Sequence, residues 1–161
     1  MKNRLDELVV SAQAYIYVII QFVILGILVF YFPGSHTGNS ATGGLLIIGR
    51  SLQALAIIGV LLSALTIRSS LSIMPIPKTN AVLGTGGLYK YVRHPMYSFV
   101  ILFAIGSSLA GGLMFEYLLT IILIIDLYYK SVFEEKNLRQ KFSAYAKYAA
   151  KTPRFIPFFK A

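Results

Sequence analysis

A chain of 161 residues is long enough for one domain, but 57% hydrophobic and 13% charged residues, with a mean hydropathy of +0.70, exclude an ordinary soluble domain, which carries about a quarter of its residues as charges. The net charge of +9 sits beside apolar runs and accompanies no nucleic-acid motif, so it reads as contact with anionic membrane lipids and not with nucleic acid. The absence of cysteine and the presence of just two histidines remove disulfides and thiolate chemistry and argue against a metal site.

The first apolar run, residues 14–32, reads "AYIYVIIQFVILGILVFYF". About 20 such residues cross a hydrocarbon core, and the "PGSHTGNS" that follows is a poor signal-peptidase site, so the run is expected to remain as a helix. The loop 33–44 contains no lysine or arginine. A second run, 45–67, is interrupted by Arg50 and Gln53; near a membrane face Arg50 can snorkel, with Glu116 as its expected partner. Residues 68–95 form a long polar connection with Pro75, Pro77, Gly84, Gly86 and Gly87. The third run, 96–110, is short for a span. Gly111 and Gly112 then make a tight turn into the fourth, 113–129.

Basic residues fall at Lys2 and Arg4, at Arg68, Lys78, Lys90 and Arg93, and along the tail from Lys130, with none in the 33–44 loop or the diglycine turn. The positive-inside rule then places both termini in the cytoplasm. The expected fold is an all-α integral membrane protein, one membrane domain over 1–161. It has four transmembrane helices, the last two a tight hairpin, and a cytoplasmic C-terminal amphipathic helix. That last helix is read from Leu138, Phe142, Tyr145 and Ala149, which recur at helical spacing after Glu134. Pro153 and Pro157 stop it, and the phenylalanines of "TPRFIPFF" are expected to fold back onto the spans.

Two stretches can carry chemistry. In "GTGGLYKYVRHPMY", residues 84–97, the proline suits the first turn of a helix, with His94 at its cap and Arg93 alongside. Basic side chains beside unpaired backbone N–H groups suit an anion; the alternative is a basic interfacial anchor with an aromatic belt. In "DLYYKSVFEEKNL", residues 126–138, Glu134 and Glu135 point about 100 degrees apart on a helix, so one can face a site while the other meets solvent. Lys130 and Lys136 are the local cations that would neutralise them. Asp126, near the end of the fourth run, is costly unless it faces protein or water.

"GGLYKYVRHPMY", an apolar hairpin, "FEEKNL", "YAKY" and "PRFIP" in that order resemble the isoprenylcysteine carboxyl methyltransferase family, whose broader group includes phospholipid N-methyltransferases. The resemblance covers residues 83–159. It implies transfer of a methyl group from S-adenosyl-L-methionine, within a membrane, to a lipid-soluble small-molecule acceptor. Carried over by position, it makes Tyr89, Arg93, His94, Pro95, Tyr97 and Glu135 cofactor-binding residues and Glu134, Glu135 and Arg154 catalytic ones. The acceptor is an isoprenylcysteine-like carboxylate or a phospholipid amine, and the protein is expected in a bacterial or archaeal inner membrane. Two other classes fit the same sequence: an NADPH-dependent membrane reductase of the sterol-reductase type, and a non-enzymatic membrane scaffold that keeps the fold.

Overall fold

The computed structural model describes residues 2–31, 43–67 and 82–159. The loop expected at 33–44, apart from its last two residues, and the first half of the central connection, 68–81, lie outside the described residues. What is described is helical, with no strand. Helix α1 runs Lys2–Gly26 and continues as a π-helical turn, Ile27–Tyr31. Helix α2 runs Gly43–Thr66, α3 Pro95–Gly111, α4 Met114–Lys141 and α5 Tyr145–Lys151. A 3-10 turn at Gly87–Lys90 precedes α3.

From Ala12 onward α1 is largely apolar on every face, as is α2 apart from Arg50 and Gln53. Ile16, Ile19, Phe22 and Val23 point outward from α1, as do Ile47, Ile57, Ile58 and Leu61 from α2. A helix apolar all round belongs in a core or a bilayer; with its outer face uncovered, the bilayer is the natural surrounding. Two stretches, Ala12–Phe30 and Gly43–Thr66, are long and apolar enough to cross a membrane. Helix α3 is apolar but has 17 residues, or about 25 Å at 1.5 Å per residue. Helix α4 carries Glu116, Asp126 and Lys130 within its apolar part.

The helices pack side by side in the order α2, α3, α4, α1. Backbones meet where α2 crosses α3: a Cβ on Gly49 would lie 2.5 Å from the Gly106 carbonyl oxygen, and one on Gly106 would lie 2.7 Å from that of Gly49. Small residues at such a crossing let two helices gain dispersion contacts that bulkier side chains would prevent. On the other side of α3, Ala104 packs with Leu119, Leu123 and Leu127 of α4 and with Ile24 and Leu28 of the first helix. The hydroxyls inside this core are satisfied: Ser107 Oγ donates to the Leu28 carbonyl at 3.2 Å, and Ser108 and Thr120 share a bond of 2.8 Å.

The diglycine turn forms as expected. Gly112 adopts φ +75°, a left-handed conformation natural to glycine, and its N–H donates to the Ser108 carbonyl at 2.9 Å. Glu116 is fully buried beside Gly111. Arg50 and Glu116 make no direct ion pair among the described residues, although the Arg50 charge acts on the Glu116 carboxyl. Arg50 Nη1 donates to Gln53 at 2.9 Å, its neighbour one turn on, while Glu116 accepts from the Leu113 N–H at 3.3 Å and closes the first turn of its own helix.

The C-terminal region departs from a single amphipathic helix. Helix α4 continues unbroken to Lys141, Phe142 is extended, and a turn leads into the seven-residue α5. The break turns Tyr145 inward, where it is 1% exposed. Of the tail phenylalanines, Phe155 folds back to lie 6.0 Å from the His94 ring, while Phe158 and Phe159 stand exposed.

Candidate functional site

Proline starts α3 at its first position, with His94 as the residue before it. The His94 side chain makes no capping bond to the helix and is free to point at α4. The last turns of α4 run past this point, and the chain beyond α5 returns to it. Two backbone bonds fasten the return: Arg93 N–H donates to the Pro153 carbonyl at 2.8 Å and His94 N–H to the Arg154 carbonyl at 3.0 Å. Ser98 Oγ adds a bond to the Phe155 carbonyl at 2.7 Å, and Tyr148 Oη one to the Tyr89 carbonyl at 2.5 Å. The basic loop, the end of α4 and the C-terminal segment thus meet as one structure.

Glu135 lies at its centre, 4% exposed. Its Oε1 accepts from Arg93 Nε at 3.0 Å and from Arg154 Nε at 3.0 Å, with His94 Nε2 at 3.1 Å. Its Oε2 receives the second arm of each guanidinium, 3.4 Å from Arg93 and 3.3 Å from Arg154. Burial by itself would raise the pKa of this carboxyl, but the bonds from His94, Arg154 and Arg93 outweigh it and hold the group well below the usual carboxylate range. Arg154 moves the other way. Burial would lower its pKa, yet the bond to Glu135 prevails and raises it.

Arg93 spends its remaining donors on the chain. Its Nη1 bonds the Ala149 carbonyl at 2.9 Å and also the Thr152 carbonyl, so it satisfies acceptors at the end of α5 that the helix leaves open. Arg154 is less enclosed, with its guanidinium 5.1 Å from the Tyr128 ring centroid.

Glu134 differs from its neighbour. Its side chain is 28% exposed; Tyr97 Oη donates to it at 2.9 Å, and His94 Nδ1 lies 3.6 Å away. The rings of His94 and Tyr97 stack at 5.2 Å, within 4° of parallel. His94 is therefore held between two carboxylates, one sealed and one open.

The structure brings Arg93, His94, Tyr97, Glu134, Glu135 and Arg154 together. Pro95 is buried behind them, and Tyr89 is buried beside Tyr148 of α5, with its hydroxyl pKa raised first by burial and then by the charge of Glu134. The anion suited to Arg93 and His94 is present within the chain: it is Glu135. Their N–H groups are likewise occupied by Pro153 and Arg154. Among the described residues neither Lys130 nor Lys136 makes a close ion pair with the glutamates: the Lys130 ammonium donates to Gln21 at 2.5 Å, though its charge still acts on Glu134, and Lys136 is exposed.

Sequence reasoning missed the Gln21–Lys130 bond and the inward turn of Tyr145. Only the amide and lysine within otherwise apolar runs signalled the former. The ring of Tyr128 also supports Arg154.

A family model described as phospholipid methyltransferase matches residues 39–145, about two-thirds of the chain. The match takes in α2, α3 and α4 with both motifs and ends before Arg154. No curated protein matches the chain with significance.

Proposed function

The chain belongs to the phospholipid methyltransferase family, and from that premise we propose that it takes a methyl group from S-adenosylmethionine and passes it, within a membrane, to a lipid-soluble acceptor. The observation that carries this reading is the asymmetry of the two adjacent glutamates: Glu135 is saturated by Arg93, Arg154 and His94, while Glu134 keeps acceptor capacity at a partly open surface beside Tyr97 and His94.

That arrangement fits the donor. A carboxylate with free lone pairs suits an ammonium group, and the faces of Tyr97 and Tyr128 suit a sulfonium. Arg154, less enclosed than Arg93, is the cation available to a carboxylate. When bound, S-adenosylmethionine supplies a methyl group already activated by its positive sulfur. The protein's part is then to hold two reactants close, aligned and dry. Glu134 with Tyr97 orients the donor's amino-acid end. The Glu135 clamp sets the position of His94 and Arg154, and α5 with the Pro153–Phe155 strap covers the cluster from water.

In this reading α3 and α4 join α1 and α2 as four spans, with the site and both termini on the cytoplasmic side. The surplus lysines and arginines there meet anionic lipid head groups. The acceptor, an isoprenylcysteine-like carboxylate or a phospholipid amine, reaches the site from the bilayer.

Titration of the detergent-purified protein with S-adenosylhomocysteine tests the assignment, with NADPH as the parallel probe. Saturable binding of the first that weakens in Glu134→Gln supports it. Binding of NADPH alone makes the protein a reductase, and binding of neither makes it a scaffold.

A further inference from the structure

Past the Glu135 cluster the strap runs into a tight turn. Phe159 N–H donates to the Ile156 carbonyl at 3.2 Å. Between them Phe158 takes φ +70°, the one positive value outside glycine among the described residues. A bulky side chain in that region strains the backbone, and packing within the protein does not offset the strain. Phe158 is 98% exposed, Phe159 73% and Ile156 62%. A turn that strains its backbone to set two phenyl rings in water is unfavourable on both counts. A covering from outside the chain removes the second cost and offsets the first.

The position of the turn identifies that covering. Ser98, one turn into α3, holds the Phe155 carbonyl at 2.7 Å, and residues 99–105 beyond it are apolar throughout. Arg154, also in the strap, has its guanidinium 5.1 Å from the Tyr128 ring centroid on α4. Tyr128 and Tyr129 stand exposed just past the apolar run 121–125. The strap therefore lies where two helices pass between polar and apolar sequence. Membrane proteins carry their exposed aromatic residues at that level, the boundary of bilayer and water. The charges around the turn agree. Lys136, Arg139, Lys147 and Lys151 are exposed, and residues 136–159 contain no aspartate or glutamate. Aromatic side chains flanked by cations suit an anionic lipid surface. A symmetric contact with a second copy would set this positive surface against itself.

We propose that the turn at residues 156–159 is a lipid anchor. Ile156, Phe158 and Phe159 enter the head-group boundary of an anionic bilayer on the side of the Glu135 cluster, and the lysines of α5 meet its phosphates. The anchor requires the chain to lie in a bilayer and does not depend on methyl transfer. Its consequence is mechanical. One end of the strap is bonded to the backbone of Arg93 and His94, and lipid fastens the other, so the membrane holds down the segment that covers the cluster.

The chain contains no tryptophan, so Phe158→Trp and Phe159→Trp each place a single fluorophore at an exposed aromatic position. Each full-length variant is reconstituted into nanodiscs of phosphatidylcholine and phosphatidylglycerol. The phosphatidylcholine is unmodified, brominated high on its acyl chains, or brominated near their ends. Emission is expected to lie to the blue of tryptophan in water and to resist acrylamide. It should fall at least twofold with the high bromine and less with the deep one. Strong quenching by acrylamide with no effect of bromine puts the turn in water and overturns the anchor. Protection from both quenchers sets the rings against protein, this chain or a second copy, and overturns it as well, as does stronger quenching from the chain ends. If one variant misfolds, the other decides. Titration of wild-type nanodiscs with S-adenosylhomocysteine separates the two readings: no binding, with bromine quenching intact, removes the methyltransferase assignment alone, and binding without bromine quenching removes the anchor alone.

Discussion

Arg93 grips Glu135 with two nitrogens, Nε at 3.0 Å from one oxygen and Nη2 at 3.4 Å from the other, and both side chains are more than nine-tenths buried. This pair joins the loop before α3 to the end of α4, and the other nitrogen of Arg93 ties in the end of α5. It is first a structural joint. Its catalytic value follows from what it holds in place.

Removing the charge of Glu135 leaves two guanidiniums facing one another without a counter-ion. Breaking a buried pair from one side costs about 3–5 kcal/mol, so Glu135→Gln should lower thermal stability in detergent by that order and weaken S-adenosylhomocysteine binding with it. Glu134→Gln removes no buried clamp. It should weaken the ligand roughly tenfold while the unfolding midpoint stays close to wild type. Parallel melting curves and titrations of the two variants separate a joint from a contact.

The same pair sets a pH dependence. The folded-state pKa of Glu135 lies below its unfolded value of about 4.3, so the folded state binds fewer protons there than the unfolded chain. Its contribution is complete above the unfolded pKa and is lost as the pH falls through the folded one. The stability gap between wild type and Glu135→Gln should therefore be flat from pH 5 to pH 8 and narrow only in stronger acid, as melting curves over a pH series would show.

Tyr97→Phe deletes the hydroxyl that donates to Glu134 and keeps the ring that stacks on His94. The lost bond is to a charged acceptor, with an expected cost of about 1.5–3 kcal/mol in ligand affinity. If the loss appears instead in the melting temperature with affinity unchanged, Tyr97 positions α4 and does not shape a ligand site.

Where α2 crosses α3, Gly49→Ala places a Cβ against backbone atoms of Gly106 and Ala110, which side-chain motion cannot relieve. Overpacking of this kind costs about 1–3 kcal/mol. Gly44→Ala, with nothing within 4 Å of the new carbon, should leave the unfolding midpoint unchanged or slightly raised. The contrast checks that the crossing is tight at Gly49 and not along the whole glycine-containing start of α2.

Composition and periodicity alone determined the helical class, the two long apolar helices and the diglycine hairpin, because these depend on local signals: run length, the conformational freedom of Gly112 and the placement of proline at the start of α3. The motif residues from Tyr89 to Tyr97 and the Glu134–Glu135 pair were also visible as candidates, since ionisable groups beside apolar runs stand out. Their partnerships were not. Adjacent glutamates look equivalent in a sequence, and nearby lysines look like their natural counter-ions. Only the folded chain shows that Arg93 and Arg154, 42 and 19 residues from Glu135, enclose one glutamate and leave the other open. Electrostatics acts through space, and a buried carboxylate takes whichever cations the packing of α3, α4 and the returning tail brings within reach. The same cause sent the Lys130 ammonium to Gln21, 109 residues away.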